Sequence, residues 1–383
     1  QVLALVQEEM LVAKDEEAVF VWIARWWEAA ARPEAELMAV LQHVRFATME
    51  EGFVRDTVRA WLALLSAEGQ GVLHASLAPV VGDVQPLPRV GFGPRRIYLV
   101  GGVERSGAIS TVRAYDPALD AWCEVTSMTM KRSDPGTAAL GGKIYVMGGV
   151  YRETALAEAE VYDPKADGWQ PLSSMPTARY CLATAAVAGK VYAIGGVNDD
   201  EDFCDAIEAY DSISDAWTRA ASLPVARSSH TATVVEGKIY VLGGNIDDDE
   251  DGRVATDRVD VYDPATDSWQ QLAAMPTATA SHAAAVLDGN IYVSGGFRPA
   301  GGYSDALEAY DPVADTWTTL ASLSQARADH ASAVVHGKLC VIGGFMGGQG
   351  RTNLVEVYSP ASNSWARAAD LPSAIDQAAA VAL

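Results

Sequence analysis

A mainly β chain, built as a six-bladed β-propeller behind a small N-terminal α-helical domain, is what the sequence predicts, and three observations predict it. Double glycines recur at Gly101-Gly102, Gly148-Gly149, Gly195-Gly196, Gly243-Gly244, Gly295-Gly296 and Gly343-Gly344, spaced by 47, 47, 48, 52 and 48 residues. Each pair is followed by a tyrosine and, seven positions later, a tryptophan: Tyr115 and Trp122, Tyr162 and Trp169, Tyr210 and Trp217, Tyr262 and Trp269, Tyr310 and Trp317, Tyr358 and Trp365. The final segment, residues 376–383, supplies a strand that the first repeat lacks. A fixed period of this size marks an array of supersecondary units, none of which can bury its own apolar faces.

Residues 1–80 read as helices. Asp15 is an N-cap, after which Val19, Phe20, Ile23, Trp26, Trp27 and Ala30 recur at helical spacing. Pro33 suits the first turn of a second helix burying Leu37, Leu41 and Val44. Thr48 and Glu51 form a capping box ahead of Val54, Val58, Trp61, Leu62 and Leu65. Residues 81–95, with Pro86, Pro88, Gly91, Gly93 and Pro94, read as a linker.

From residue 96 onward each repeat holds four short strands, a to d. Segments such as 143–147 (KIYVM), 190–194 (KVYAI) and 238–242 (KIYVL) are apolar on both faces, as in sheets covered on both sides. Glycines precede these b strands, and Tyr-Asp-Pro turns follow the c strands at 115–117, 162–164, 262–264 and 310–312. Stacking such sheets radially covers every face. The recurrent Tyr and Trp are expected to wedge between blades, a buried Trp contributing about 4 to 6 kcal/mol before entropy costs.

Closure fixes the blade count. The array opens at 96–100 (RIYLV) with a b strand and ends at 376–383 (DQAAAVAL) with an a strand. The two complete one blade and remove two exposed edges.

Composition narrows the function. A net charge of −22 repels a phosphate backbone, so nucleic acid is not an expected partner. No run of 18 apolar residues and no signal-peptide pattern occurs, which predicts neither membrane insertion nor secretion and a cytoplasmic location, the nucleus included. Cys123, Cys181, Cys204 and Cys340 lie far apart and read as reduced thiols. No Gly-x-Ser-x-Gly, phosphate-loop or dinucleotide motif is present, and the double glycines have no helix behind them to cradle a phosphate. No enzyme activity, catalytic residue, cofactor or metal is assigned. His230, His282 and His330 each stand 13 residues before a double glycine, and the repeat pattern accounts for them better than a metal site does.

The combination of Arg-x-x-His, Gly-Lys-Ile-Tyr, Gly-Gly, Tyr-Asp-Pro and Trp over residues 96–383 resembles the repeat of Kelch proteins. Residues 15–27 (DEEAVFVWIARWW) and 41–49 (LQHVRFATM) resemble the middle of a BACK domain, which in BTB-BACK-Kelch proteins joins a cullin-binding BTB module to the propeller. The chain starts at Gln1 inside an apolar pattern, which predicts a piece of something longer, without a BTB domain and with part of the BACK domain. Cullin contact is therefore expected only through regions ahead of Gln1. The resemblance implies a substrate adaptor of a cullin-type ubiquitin ligase, the alternatives being a Kelch scaffold for cytoskeletal or other proteins and, least favoured, a propeller enzyme.

Antiparallel alternation places the d–a and b–c loops on one face. The b–c loops vary in sequence and length, and variable loops on a rigid frame are where binding resides. Two adjacent loops are acidic, with Asp199, Asp200, Glu201 and Asp202 in one and Asp247, Asp248, Asp249, Glu250 and Asp251 in the next. They read as solvated loops, as a patch for a basic partner or, least favoured because the spacing does not follow an EF-hand loop, as a calcium site. Arg179, Arg227 and Arg327 occupy equivalent d–a positions, and Arg105, Arg152, Arg298 and Arg351 lie in b–c loops with Tyr303. In related Kelch adaptors such arginines and loop aromatics grip acidic peptides, and guanidinium forks suit carboxylates. The d–a arginines have a second reading, as repeat residues bonded to loop carbonyls.

Overall fold

A computed structural model describes residues 96–383 apart from 249–251 and 300. The helical domain and linker expected over residues 1–95 lie outside the described residues. Contacts divide the chain into two units, Gln1–Gly93 and Pro94–Leu383, and the described residues all belong to the second.

That unit is a six-bladed propeller of six four-stranded antiparallel sheets. Blade 1 is assembled from both ends of the array: Ala379–Ala382 is its strand a, and Ile97–Val100, Val112–Asp116 and Ala121–Val125 are b, c and d. Tyr98 lies opposite Val381 and Leu99 opposite Ala380. Arg96 and Leu383 exchange backbone hydrogen bonds at 3.0 and 2.9 Å. Blades 2 to 6 span 136–172, 183–219, 231–271, 283–319 and 331–367. The a strands stand side by side around the axis, each touching the next and the sixth touching the first.

The b and c strands are buried along almost their whole length, as a strand sandwiched between neighbouring sheets must be. Six apolar clusters fill the six interfaces. Tyrosines of adjacent blades meet there, Tyr98 with Tyr162 at 5.9 Å, Tyr145 with Tyr210 at 6.1 Å and Tyr240 with Tyr310 at 6.3 Å. At the last interface Cys340 stands where the other b strands carry tyrosine, and it packs in the cluster of Tyr115. Burial pushes its thiol up to about 12.

The recurrent tyrosine and tryptophan form a latch between blades. Within each blade the two rings pack against each other, at 5.1 Å for Tyr162 and Trp169. The Trp169 indole N–H donates to Thr126 O, one blade back, at 2.8 Å. The Tyr162 hydroxyl donates to Asp167, whose Oδ1 also accepts the Thr126 amide. The tyrosines are buried, and the tryptophans are only partly buried. Each indole therefore removes less surface from water than the sequence implied, and the latch adds hydrogen bonding in its place.

The double glycines are required by close approach of backbone. Gly148 has φ +61°, and a Cβ there would lie 2.5 Å from Arg179 O; one on Gly149 would lie 2.7 Å from Ser133 O.

Candidate functional site

The residue after each double glycine pairs with a residue of the preceding d–a loop, as Val150 does with Ser133 and Phe297 with Ala280. Each b–c loop is thereby fastened to its neighbouring d–a loop, and the two sets share one face. Around this face the b–c loops differ. Blades 1 and 2 carry short hairpins, Val103–Glu104 with Gly107–Ala108 and Val150–Tyr151 with Thr154–Ala155. Blade 4 carries the longer hairpin Asn245–Asp248 with Gly252–Ala255. Blade 6 has a single 3-10 turn, Gly347–Gln349.

The d–a arginines do not reach this surface. Arg179, Arg227 and Arg327 are fully buried and bound to strand c carboxylates: Arg179 to Glu208 at 2.8 Å, Arg227 to Asp260 at 2.6 Å, Arg327 to Glu356 at 2.5 Å. Arg179 also donates to Ala206 O and Ala193 O. Arg132, which sequence reading passed over, forms the same pair with Glu160 at 2.9 Å. A buried guanidinium needs its charge matched and its N–H groups accepted. These side chains serve the frame, and the expectation that they grip a partner is corrected. The two blades without a d–a arginine find substitutes. Blade 5 has Thr279 there, and Arg298 approaches Glu308 to 3.7 Å from the b–c loop. Blade 1 has Ile375 there and Arg113 in strand c, paired with Glu104 at 2.7 Å. The signal was an acid two positions before the conserved tyrosine in blades 2 to 6.

The remaining candidates divide by position. Arg105 and Arg152 are exposed at hairpin tips, Arg152 with its guanidinium 5.1 Å over the Tyr151 ring. Arg152 and Glu153 both have positive φ, 52° and 64°, the turn that Asn-Gly fits best. Arg351 is about one-third exposed and donates to Asp376 at 2.8 Å. Arg105 and Arg351 meet across a cavity of about 510 Å³, lined also by Glu104, Ser106, Ser373 and Ala374. Tyr303 packs between Phe297 at 5.5 Å and Phe345 at 5.8 Å, making an aromatic shelf on blades 5 and 6. Phe297 is 45% exposed. Neither phenylalanine was singled out from the sequence, although both follow a double glycine where valine stands in three other blades.

Of the acidic residues, Asp199, Asp200, Glu201 and Asp202 are all exposed, and Asp199 also uses Oδ1 to accept the Ala155 amide of the preceding blade's loop at 2.6 Å. Asp247 is exposed and lies 3.7 Å from Arg253. Asp248 ends a described strand; Asp249, Glu250 and Asp251 lie outside the described residues.

On the axis, Asp134, Cys181, Ser229, Ser281, Asp329 and Gln377 line the mouth of a cavity of about 200 Å³. All six have φ between 51° and 54°. Their backbones form a closed ring: each amide donates to the carbonyl of its neighbour, at 2.9 to 3.3 Å. Burial, then Asp329 and Asp376, push the Asp134 carboxyl up to about 8, against hydrogen bonds from Ser133 and Cys181. Burial, then Asp134, raise the Cys181 thiol well above its ordinary value. His282 bonds Thr231 at 3.0 Å, and His330 bonds Ser294 at 2.9 Å. His230 faces Gly195 from the equivalent position, where the residue matching Ser294 is Ile194. These imidazoles sit between blades, and among the described residues no group of three His, Cys, Asp or Glu is arranged to hold a metal ion. The four cysteines are free thiols. Among the described residues no helix is long and apolar enough to cross a membrane.

The family model of the Attractin/LZTR1 beta-propeller matches residues 97–355, about two-thirds of the sequence. The chain belongs to the Attractin/LZTR1 β-propeller family. Ahead of that Attractin/LZTR1 propeller, the BACK model (BTB And C-terminal Kelch) matches residues 1–59. The chain is similar to the solved structure of YjhT, at 19% identity and a TM-score of 0.59 over 74% of this chain and 99% of that one. At that identity the likeness shows the fold alone. No curated protein matches the chain. An Attractin/LZTR1 propeller joined to a BACK match points to a protein-interaction or adaptor role.

Proposed function

We propose that this chain is the substrate-recruiting part of a cullin-type ubiquitin ligase adaptor of the BTB-BACK-Kelch kind, and that a protein segment docks on the face made by its b–c and d–a loops. The observation that carries the reading is the BACK match ahead of a propeller whose six blades share one frame but present b–c loops that differ around the ring. A uniform frame with variable loops is how a fold is adapted to one partner. We assign that contact to Arg105, Arg152, Arg298, Arg351, Phe297, Tyr303 and Phe345, with Asp200, Glu201, Asp202 and Asp247.

The test is affinity purification of the full-length protein from its own cells, with mass spectrometry of what accompanies it. A cullin should accompany the wild type and the Phe297→Ala/Tyr303→Ala variant alike, while a substrate should be lost from the variant. Recovery of protein partners with no cullin would replace the ligase reading with that of a scaffold.

A further inference from the structure

The partner face carries charges of both signs, which meet on blade 2 at Arg152 and Glu153 and separate across the axis between blades 3 and 4 and blades 6 and 1. On blades 3 and 4, Asp200, Glu201, Asp202 and Asp247 are exposed. Arg253 joins their two loops: its guanidinium lies 4.7 Å over the Phe203 ring, 3.7 Å from Asp247 and 4.0 Å from Glu201, and donates to Glu201 O. Its charge is thus spent inside the ledge, which stays acidic. Blades 6 and 1 stand across the axis from blades 3 and 4 in a six-membered ring. There Arg105 and Arg351 open on the cavity of about 510 Å³. The acids beside them are already engaged, Glu104 by Arg113 at 2.7 Å and by the Ser373 hydroxyl at 2.5 Å, and Asp376 by Arg351 Nε at 2.8 Å, which leaves Arg105 as the unmatched charge of this pole. Among the described residues Arg105 has no carboxylate partner. Between the two poles, on blades 5 and 6, lies the shelf of Phe297, Tyr303 and Phe345.

We infer that the occupant of this face is an extended segment of a partner protein whose charges are segregated. An apolar or aromatic residue sits on the shelf, basic side chains run toward blades 3 and 4, and acidic ones toward blades 6 and 1. A uniformly acidic segment meets repulsion at the ledge, and a uniformly basic one meets it at the arginines. Like charges brought together across an interface suppress wrong partners, and opposite charges fix the register of the right one. The inference rests on the reading that this face binds protein, and it adds the direction in which the partner lies.

A random sixteen-residue peptide library displayed on phage, selected against the purified chain, tests it. The peptides expected to emerge carry an apolar anchor with basic residues on one side and acidic on the other. Their affinity should fall at least tenfold on Arg105→Glu/Arg351→Glu, and it should fall on Arg105→Glu alone and on Phe297→Ala with unchanged thermal midpoints. Reversing the acidic half of the peptide to lysine should restore binding to the Arg105→Glu/Arg351→Glu variant. Peptides of a single charge sign, or binding indifferent to the arginine reversal but weakened by Phe297→Ala, would overturn the segregation and leave the binding face standing. Selection of nothing, or only of peptides indifferent to all these variants, would overturn both.

Discussion

The hydroxyl of Tyr162 donates to Asp167 at 2.6 Å, and the same carboxylate oxygen accepts the amide of Thr126, one blade back, at 3.0 Å. The arrangement recurs with Tyr115, Asp120 and Ala369, with Tyr210, Asp215 and Ser173, and with Tyr262, Asp267 and Ala221. One side chain thus satisfies a buried tyrosine and fastens two sheets, which is why the aspartate five positions after the tyrosine belongs to the motif.

These latches make stability acid-sensitive. The carboxyls of Asp120 and Asp215 are held below their ordinary value chiefly by the amide of the preceding blade, those of Asp167 and Asp267 chiefly by the tyrosine hydroxyl. A carboxyl lowered in the folded state stabilises above its unfolded pKa, and that contribution is lost as pH falls through the folded value. The thermal midpoint should drop below about pH 4. Blade 6 carries Asn363 in the same role, so Asp167→Asn should fold and show a shallower acid limb in a pH series of thermal melts.

Asp134 acts in the opposite direction. Its carboxyl is raised, so the folded state holds a proton that the unfolded chain has released, and stability falls as pH rises from about 4 to about 8. Asp329, Asp376 and Cys181 face the same ring and carry raised values of their own. Asp134→Asn should therefore gain on the wild type as pH rises, with the smallest difference near pH 4 and the largest near pH 9, read as the midpoint in urea.

Breaking a buried ion pair leaves a charge stranded. Arg179→Met alone should cost about 3 to 5 kcal/mol, while Arg179→Met with Glu208→Leu should recover most of it. Urea unfolding of the two single variants and the double variant measures the coupling.

Much of the frame was readable because the constraints behind it are periodic. The Gly148 and Gly149 approach, the Tyr162–Trp169 contact and the pairing of Tyr98 with Val381 each follow from a repeated spacing or from a strand missing at one end. The site was read less well, because spacing shows which loop a residue occupies but not whether it points in or out. Arg179 and Arg105 both read as loop arginines, yet one meets Glu208 in the interior and the other meets solvent. Phe297 and Phe345 gain significance only once Tyr303, from the far side of a loop, is packed between them. The bridge by which Arg253 joins the acidic loops of blades 3 and 4 depends on hairpin register and leaves no mark in the sequence.

Closure by the C-terminal strand should govern cooperativity. Deleting residues 379–383 removes the partner of Ile97–Val100 and leaves that strand as the uncovered inner edge of blade 1. The midpoint should fall by about 10 °C or more, and scanning calorimetry should show the single transition broaden.

The central claim is that the b–c and d–a face, and not the opposite one, holds the partner. A photo-crosslinking amino acid placed at Tyr303 in full-length protein, compared with one at Ile213 on a c–d turn of the other face, tests it directly in cells. The account predicts a discrete adduct from position 303 that disappears with Arg105→Glu/Arg351→Glu, and none from position 213. An adduct from position 213 alone, or one at 303 that survives the arginine reversal and Phe297→Ala together, would contradict it.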